Sequence, residues 1–467
     1  MGFSAFLSSR RESGEKLIQL LSQRYSYASL LGVDVAAKTI RADRSTSAIT
    51  SGRDTECGFV VKLYDGAVFF EYSMDDIAGD ISALAEKISG AFRVHAALGS
   101  NTIAPVMLED MPLVKSFARE HDLLDYTDEQ LLAFAKEQCG KLVEGSEYVL
   151  NAVAAISTME VSKLFISPNR QLDQNYAWVN GMTAVVYREN DKVVQVRETS
   201  NHEKIGKVLE ELPVVSEGLL KKAHNLTMAQ SIVPGVYDVI TDPSITGLIA
   251  HEAFGHGVEM DQFVKDRALA KEYVGKYVAS TICNMRDGAA SVLSAASYFF
   301  DDDGILAGDT QIIRDGILVT GISDLASATQ LATVPTGNGR RQSSRRKAYA
   351  RMTNTFFEKG TDKLEDMIAS IDHGYMLFET SNGMEDPKNW AIQCVAQYGI
   401  EIRDGKLTDN YVSPVVISGY VPDLLKSISM VSDDFKVIGS GMCGKGYKEW
   451  VRVSDGGPAL KVKVKLG

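Results

Sequence analysis

Two histidines and a glutamate within six residues carry the clearest chemical signal in this chain: His251, Glu252 and His256 follow the pattern His-Glu-x-x-x-His. Imidazole nitrogens are common ligands of zinc in proteins. A glutamate beside a metal-bound water is placed to accept a proton from it. The spacing is one residue longer than in the common metalloprotease motif, in which the histidines are four residues apart.

The longer spacing constrains the helix that carries these residues. Side chains four residues apart diverge by about 40° around an α-helix, whereas side chains five residues apart diverge by about 140°. A single π-type turn, which closes residue i to residue i+5, would bring both imidazoles to one side. We expect Gly255 to lower the cost of that distortion. The alternative is a helix that ends near Gly255 and leaves His256 in a loop without a ligand.

The composition restricts the class of protein. The chain has 467 residues, which favours two or three domains, and a formal net charge of −12. This acidic balance argues against nucleic acid as the main partner, since phosphates would be repelled. Five cysteines without close pairs indicate a reducing compartment. Neither a secretory signal pattern nor a bilayer-spanning apolar run is visible, so we expect a soluble cytoplasmic protein without membrane contact.

The overall pattern predicts an α+β fold in two domains. We expect residues 1–230 to form a mixed α/β domain with an antiparallel sheet. Ser73 to Phe92 has helical periodicity with Ser73 as cap, and Thr127 with Gln130 forms a capping box. Further expected elements are a hairpin over 57–72 that turns at Asp65-Gly66, a hairpin over 182–197, and helices over 203–212 and 216–228 separated at Pro213.

Residues 231–467 are expected to form a β-rich domain, a barrel or a sandwich, that carries the metal-site helix. Asp242 and Pro243 suit the first positions of that helix, as N-cap and first helical residue. The histidine motif then lies on its C-terminal part. Short β runs separated by glycine turns follow over 311–320, 398–406, 415–421 and 459–466.

A catalytic zinc site usually has three protein ligands and one open position. The candidates for the third ligand are Glu259, Asp261, Glu272, His224, His373 and Cys443. Cys443 lies in a glycine-rich segment, and Lys445 nearby would help to lower the pKa of its thiol. From the residues alone, a free buried cysteine in a glycine-rich turn is the favoured interpretation of Cys443.

Five motifs in the second half of the chain occur together in a recognisable order. They are HEAFGHGVEMD (251–261), FFDDDG (299–304), PTGNGRRQ (335–342), RMTNT (351–355) and GMCGKG (441–446). On these motifs the chain resembles the TldD/PmbA family of metallopeptidases, also known as modulators of DNA gyrase. The resemblance is strongest from Gly235 onwards, and the first half matches only in general character.

The resemblance implies a zinc site and a catalytic base. The implied zinc ligands are His251, His256 and Cys443, and the implied general base is Glu252. Unfolded peptides are the implied substrates, cleaved in a homodimer or in a heterodimer with a relative that lacks the metal motif. This chain retains the motif and so resembles the active members. It departs from many relatives after the Cys-Gly-Lys step, where Gly446-Tyr447 replaces Gly-Gln, and local substrate contacts there are in doubt.

Polar residues outside the histidine motif could also take part in binding or catalysis. Arg351 and Asn354 lie in the RMTN match and are expected near the cleft: Arg351 to bind a peptide carboxylate, Asn354 to hydrogen-bond substrate backbone or else to cap a turn. The basic segment 340–351 is expected to be a solvated or mobile loop. Residues 301–303 favour an acidic turn over a calcium loop. The remaining histidines, interpreted as surface or core residues, are His95, His121, His202, His224 and His373.

The sequence therefore predicts a two-domain zinc metallopeptidase in which Glu252 acts as general base on a zinc-bound water. Two alternatives stay open. The chain could be a non-catalytic, metal-stabilised partner subunit, or it could hydrolyse small amides.

Overall fold

An antiparallel sheet forms the first part of the molecule. The structure is a computed structural model that describes residues 2–97, 112–446 and 449–467. Within these ranges the strands of the first part are β1 (Tyr27–Asp43), β2 (Ser47–Ser51), β3 (Glu56–Tyr64), β4 (Phe69–Met74), β5 (Leu113–Ala118), β6 (Val149–Ile166), β7 (Arg170–Glu189) and β8 (Lys192–His202). They are ordered β4-β3-β1-β6-β7-β5, with β2 beside β1 and β8 beside β7. β5 runs parallel to β7, and the other pairs are antiparallel.

Helices pack against this sheet. They are α1 (Ala5–Ser22), α2 (Ile81–Ala97), α3 (Asp128–Glu144), α4 (Ile205–Ser216) and α5 (Leu219–Met228). The apolar sides of α1 and α2 share a core with β1 and β3. α3 packs on β1 and β6, while α4 and α5 pack on β7 and β8. Two expected hairpins, β3–β4 and β7–β8, are confirmed.

Of the sequence signals for helix starts and ends in this part, one is confirmed and two are wrong. The capping box of Thr127 and Gln130 is confirmed at the start of α3. The predicted start of the helix at Ser73 is wrong, because Ser73 belongs to β4 and α2 begins at Ile81. Asp80 caps that helix instead: its carboxylate accepts the N–H groups of Ser82 and Ala83. The expected break at Pro213 is also wrong, because Pro213 lies inside α4.

A β-rich second part begins at Gly235, and the proposed boundary at residue 230 falls between α5 and this strand. Its strands are β9 (Gly235–Thr241), β10 (Met285–Asp287), β11 (Thr310–Arg314), β12 (Ile317–Leu318), β13 (Gly339–Arg340), β14 (Tyr349–Ala350), β15 (Asn354–Phe357), β16 (His373–Asp386), β17 (Ala391–Arg403), β18 (Lys406–Val412), β19 (Val415–Tyr420), β20 (Met430–Val431), β21 (Lys436–Lys445), β22 (Glu449–Gly457) and β23 (Leu460–Leu466).

Two larger sheets are formed by these strands. One has the order β12-β11-β10-β15-β22-β21. In the other, the order is β16-β9-β23-β19-β17-β18, and β16 also pairs with β17, which closes β16, β9, β23, β19 and β17 into a five-stranded barrel. The expected α+β class, with a mixed N-terminal part and a barrel-like C-terminal part, is confirmed.

Short helices connect these strands. They are α6 (Pro243–Leu248), a π-helical turn (Ile249–Gly255), 3-10 turns (His256–Val258 and Leu269–Tyr273), α7 (Met260–Val264), α8 (Leu325–Gln330), α9 (Leu364–Ala369) and α10 (Val421–Lys426). The π-turn contacts β16 and β17 of the barrel on one side and β15 and β22 of the other sheet. Ile245, Ile249, Ala253 and Phe254 are fully buried there. The histidine motif is therefore held between both sheets.

Buried ion pairs join the two parts of the chain. The acidic turn at 301–303 is confirmed, with Gly304 at φ +74, but its carboxylates are buried. Asp303 pairs with Lys62 of β3, and Asp302 pairs with Lys163 of β6. The basic segment is correspondingly not a solvated loop throughout, since Arg341 is buried and pairs with Glu71 of β4 at 3.1 Å.

Among the described residues, no helix combines the length and the apolar character that crossing a membrane requires.

Candidate metal centre

The helix that carries the histidines begins as its sequence predicts. Asp242 is the N-cap, its carboxylate accepts the N–H of Ile245 at 2.7 Å, and Pro243 occupies the first turn. The expected π-turn is confirmed: after α6 the backbone widens, and the N–H of His256 donates to the carbonyl of His251. This i to i+5 bond turns both imidazoles toward one side of the helix.

Gly255 contributes to this turn by its small size. Its φ of −59 and ψ of −47 are ordinary helical values, so the conformational freedom that the sequence suggested is not used. A Cβ atom at Gly255 would lie 2.2 Å from Met352 Sδ and 2.9 Å from Ala250 O. The missing side chain therefore makes room for β15 and its neighbours beside the turn.

Three metal-binding side chains converge at this turn. The ligand atoms of His251, His256 and Cys443 all lie within 4.8 Å of one another. Cys443 Sγ is 3.6 Å from His256 Nε2, and the two imidazole centroids are 5.1 Å apart with planes at 88°. Cys443 comes from β21, which is held beside β22 and so against α6.

The electrostatics of the cluster favour a thiolate. Burial opposes ionisation of Cys443, but His256 and then His251 outweigh it and hold the pKa of the thiol well below its usual range. Lys445, expected to help, is instead paired with carboxylates at 3.0 Å from Glu259 and 2.5 Å from Asp261. The two imidazoles, and not Lys445, therefore lower the pKa of the Cys443 thiol.

Glu252 lies beside the three ligand side chains. Its Oε2 is 3.8 Å from His256 Nε2, and 21% of its side chain is exposed. Burial raises the pKa of Glu252, against the opposing influence of His251 and His256. Gly383 of β16 allows the strand to approach, since a Cβ there would lie 2.6 Å from Glu252 Cγ. The carboxylate is therefore confined between the metal helix and β16.

Two further candidate ligands lie behind the cluster. Glu259 Oε2 is 3.1 Å from Nδ1 of His256, on the ring edge away from Cys443, and Glu259 is fully buried. Asp261 pairs with Lys445 and with Lys265 at 3.4 Å. Glu259 therefore bonds to the candidate ligand His256 and is not placed to be a ligand itself. Its position three residues after His256 was a signal for this contact, because such residues share a helical face.

The other candidates for the third ligand lie elsewhere. His224 Nδ1 is 2.6 Å from Glu189, and His373 Nε2 is 3.3 Å from Glu401. Glu272 is an exposed residue of a 3-10 turn. Within the described residues, the one histidine, cysteine and carboxylate group that could hold a metal ion is His251, His256 and Cys443.

Arg351 and Asn354 are placed below the surface of the site. Arg351 is fully buried, and its guanidinium donates to the carbonyls of Cys443 at 2.7 Å and Glu449 at 3.1 Å. Asn354 is also fully buried and donates to the carbonyls of Gly288 and Val292. A substrate contact by either side chain would require release of these bonds, so the contacts give no support to the expected binding roles.

The cluster opens into a cleft of about 1580 Å³, part of which is open solvent. One wall is residues 380–385 of β16, and the other is residues 441–446 at the end of β21. Glu385 and Asp455 add two acidic groups; burial raises the pKa of Glu385 well above its usual range and that of Asp455 to about 6. Neither was predicted. Tyr447 and Lys448, where the sequence departs from its relatives, lie outside the described residues.

Among the described residues, the strand on each wall has an edge without a partner strand. β9 pairs with β16 over Gly374 to Leu377, whereas the described residues from Thr380 to Asp386 pair on one side, with β17. β21 is the last strand of its sheet. Unpaired strand edges accept an extended peptide by backbone hydrogen bonds.

The residues present fit a zinc ion. Two imidazoles and a thiol are ligand types that zinc prefers. The Nδ1 atom of His251 is buried and has no hydrogen-bond partner among the described residues, which a purely structural histidine seldom shows.

Comparison with known proteins finds relatives whose names agree in describing metalloproteases. Residues 234–466 match the family model described as the PmbA/TldA metallopeptidase C-terminal domain. A metalloprotease of Methanothermobacter thermautotrophicus is 26% identical over 453 residues, which cover 95% of this chain and 95% of that protein. The zinc metalloprotease TldD homolog of Saccharolobus solfataricus is 31% identical over 287 residues, 61% of this chain and 63% of that protein.

Solved structures share the fold along nearly the whole chain. TldE from Thermococcus kodakarensis superposes with a TM-score of 0.73 at 19% identity, and covers 97% of this chain and 100% of that one. A proposed modulator of DNA gyrase from Bacteroides thetaiotaomicron gives a TM-score of 0.76 at 14% identity over 98% and 99% of the two chains.

Proposed function

We propose, from the membership of the TldD/PmbA family that the family model and the relatives' names support, that this chain is a zinc-dependent peptidase. The observation that carries the proposal is the convergence of His251, His256 and Cys443 at the base of an open cleft, with Glu252 beside them. This arrangement supports the active type, in which the chain itself holds the metal.

The ligands would be His251, His256 and Cys443. Zinc, when bound, supplies a Lewis acid that polarises a carbonyl and makes water more acidic. Glu252 accepts a proton from the attacking water and returns it to the departing amine. Its place between the π-turn and Gly383 of β16 keeps the carboxylate next to His256. Burial of the cluster strengthens these electrostatic interactions.

The substrate is proposed to be an unfolded or extended peptide. The edge of β16 at 380–386 offers backbone groups for strand pairing, and the edge of β21 faces it across the cleft. Backbone pairing is largely independent of sequence, so we expect loose preference for side chains.

The proposed assembly is a homodimer or a heterodimer with a family relative. The structural similarity to TldE from Thermococcus kodakarensis makes a related chain the natural candidate. Membrane and nucleic acid are not proposed as partners, given the net charge of −12. A cytoplasmic location is proposed from the five free cysteines.

Glu252→Gln is the direct test of the mechanism. The variant should retain zinc and lose peptide cleavage by about 10²–10⁴-fold, the range for general acid–base groups. Glu272→Gln is the matched control, because Glu272 is an exposed glutamate on a neighbouring 3-10 turn. Unchanged cleavage by Glu252→Gln would contradict the mechanism. A zinc-loaded parent protein without any peptidase activity would instead favour a non-catalytic, metal-stabilised subunit.

Substrate size is tested separately. Long unfolded peptides and dipeptide amides are compared by kcat/KM at equal zinc loading. We expect the long peptides to be cleaved better, because they can pair along the edges of the cleft. A preference for dipeptide amides would contradict the peptidase proposal and favour a small-amide hydrolase.

A further inference from the structure

A buried ionic bridge joins the two chain segments that carry the metal ligands. His256 Nδ1 lies 3.1 Å from Glu259 Oε2, and the same oxygen lies 3.0 Å from Lys445 Nζ. Glu259 follows His256 by three residues, and Lys445 follows Cys443 by two. A single carboxylate oxygen thus connects the helix ligand to the strand ligand.

We infer that Glu259 and Lys445 are positioning residues that fix His256 and Cys443 relative to each other before a metal binds. The inference rests on the proposed metal site. It concerns how the site is pre-formed and assigns neither residue a contact with metal or substrate.

Burial makes this bridge rigid. Glu259 has 1% of its side chain exposed and Lys445 has 8%. Charges removed from water keep a strong mutual attraction, and they persist only where each is well paired.

Further bonds hold Lys445 and its strand in register. The ammonium of Lys445 also bonds Asp261 at 2.5 Å and donates to the carbonyl of Ala350 at 2.9 Å. Arg351 donates to the carbonyl of Cys443 at 2.7 Å. The strand is therefore anchored at the carbonyl of Cys443 and, two residues later, at Lys445.

The support is unequal for the two imidazoles. A carboxylate bonded to the far nitrogen of a ligand histidine fixes the ring orientation and tautomer, and its loss typically weakens metal binding about 10–100-fold. His256 has this support from Glu259. His251, by contrast, has no hydrogen bond to a carboxylate among the described residues. Orientation of His256 should therefore depend on the bridge, whereas His251 depends on packing in the π-turn.

Two variants break the bridge while leaving its remaining member an ionic partner. Glu259→Gln leaves Lys445 paired with Asp261. Lys445→Met leaves Glu259 with His256 and with Arg351 at 3.9 Å. Asp261→Asn is the control, because it removes a partner of Lys445 but leaves the path from Glu259 to His256 intact.

Zinc affinity of the full-length variants, measured by competition with a chelator, is the first readout. We expect Glu259→Gln and Lys445→Met each to weaken zinc binding about 10–100-fold, and Asp261→Asn to change it by less than about threefold. The double variant should lose less than the product of the two single losses, since both act on one bridge. Glu259→Asp keeps the charge but shortens the reach, so it should resemble Glu259→Gln; full affinity in Glu259→Asp would mean that charge alone matters and would overturn the inference.

A metal-free readout separates this inference from the proposed function. Ring-nitrogen chemical shifts and line widths of ¹⁵N-histidine-labelled, metal-free protein report whether the His256 ring is held in one environment. They should give one sharp set of His256 signals in the parent and shifted, broadened signals in Glu259→Gln. Full zinc affinity and an unchanged His256 signal in Glu259→Gln would overturn the bridge while leaving the peptidase proposal standing. A parent protein that binds no zinc would contradict the proposed function, and the His256 signals would still decide on the bridge.

Discussion

Replacement of Gly255 by alanine tests the close packing on which the π-turn depends. The new Cβ would lie 2.2 Å from Met352 Sδ and 2.9 Å from Ala250 O, whereas non-bonded heavy atoms normally stay about 3.5–4.0 Å apart. Met352 is 1% exposed, and the Ala250 carbonyl belongs to the turn itself. In a close-packed interior neither atom can move away freely.

We expect Gly255→Ala to lower the free energy of unfolding. Overpacking of a buried site costs about 1–3 kcal/mol, and alanine within a helix is favoured over glycine by about 1 kcal/mol. The net loss is therefore roughly 0–2 kcal/mol. Gly140→Ala is the matched control: Gly140 lies within α3, and a Cβ there meets nothing within 4 Å, so this variant should gain about 0.5–1 kcal/mol.

Unfolding of the metal-free variants and their zinc affinities are measured side by side. Gly255→Ala should also weaken zinc binding, because relief of its contacts shifts His256, the next residue along the chain. The double variant Gly255→Ala/Met352→Ala should then lose less unfolding free energy than the sum of the losses in the two single variants. Equal stability gains in the two glycine variants, with unchanged zinc affinity, would refute this packing argument.

Two further predictions concern buried charges. Burial raises the pKa of Asp242 from 3.8 to about 6, so folding takes up a proton between these pH values and stability is lost as pH rises through about 6. The unfolding midpoint of Asp242→Asn, measured relative to that of the parent, should therefore be higher at pH 8 than at pH 4. A change in the other direction would refute the assignment. Arg351→Met should lower the unfolding midpoint and the zinc content together, since its guanidinium holds the carbonyls of Cys443 and Glu449; if only KM for peptides with a free C-terminal carboxylate rises, Arg351 binds substrate.

Local signals in the sequence predicted the metal helix well. Asp242 and Pro243 set its start. The five-residue spacing of His251 and His256 indicated a π-turn on the condition that both rings bind one metal, because no straight α-helix turns both rings to one side. These predictions succeeded because the residues that carry the cap and spacing signals lie close together in the chain.

Signals that depend on distant packing were less reliable. Ser73 has cap chemistry, yet its strand is paired with β3, so the helix starts at Ile81. Pro213 sits in α4 without ending it. The reason for Gly255, contact with Met352, involves a residue far along the chain. Periodicity and propensity carry no record of such contacts.

The third ligand could not be derived from local pattern. Cys443 and His256 are separated by 187 residues, and the resemblance to a known family, not spacing, singled out the cysteine. Arg351 shows the converse: its motif was noted, but burial beneath Cys443 could be seen only in the fold. A buried arginine and a substrate-binding arginine look the same in a sequence.

The most direct test of the account is a crystal structure of the zinc-loaded protein with data collected at the zinc absorption edge. We predict one strong anomalous peak in the cleft, at about 2.3 Å from Cys443 Sγ and about 2.0–2.1 Å from a nitrogen of His251 and of His256. A fully loaded crystal in which the peak lies away from these three side chains, or in which Cys443 takes no part, would contradict it.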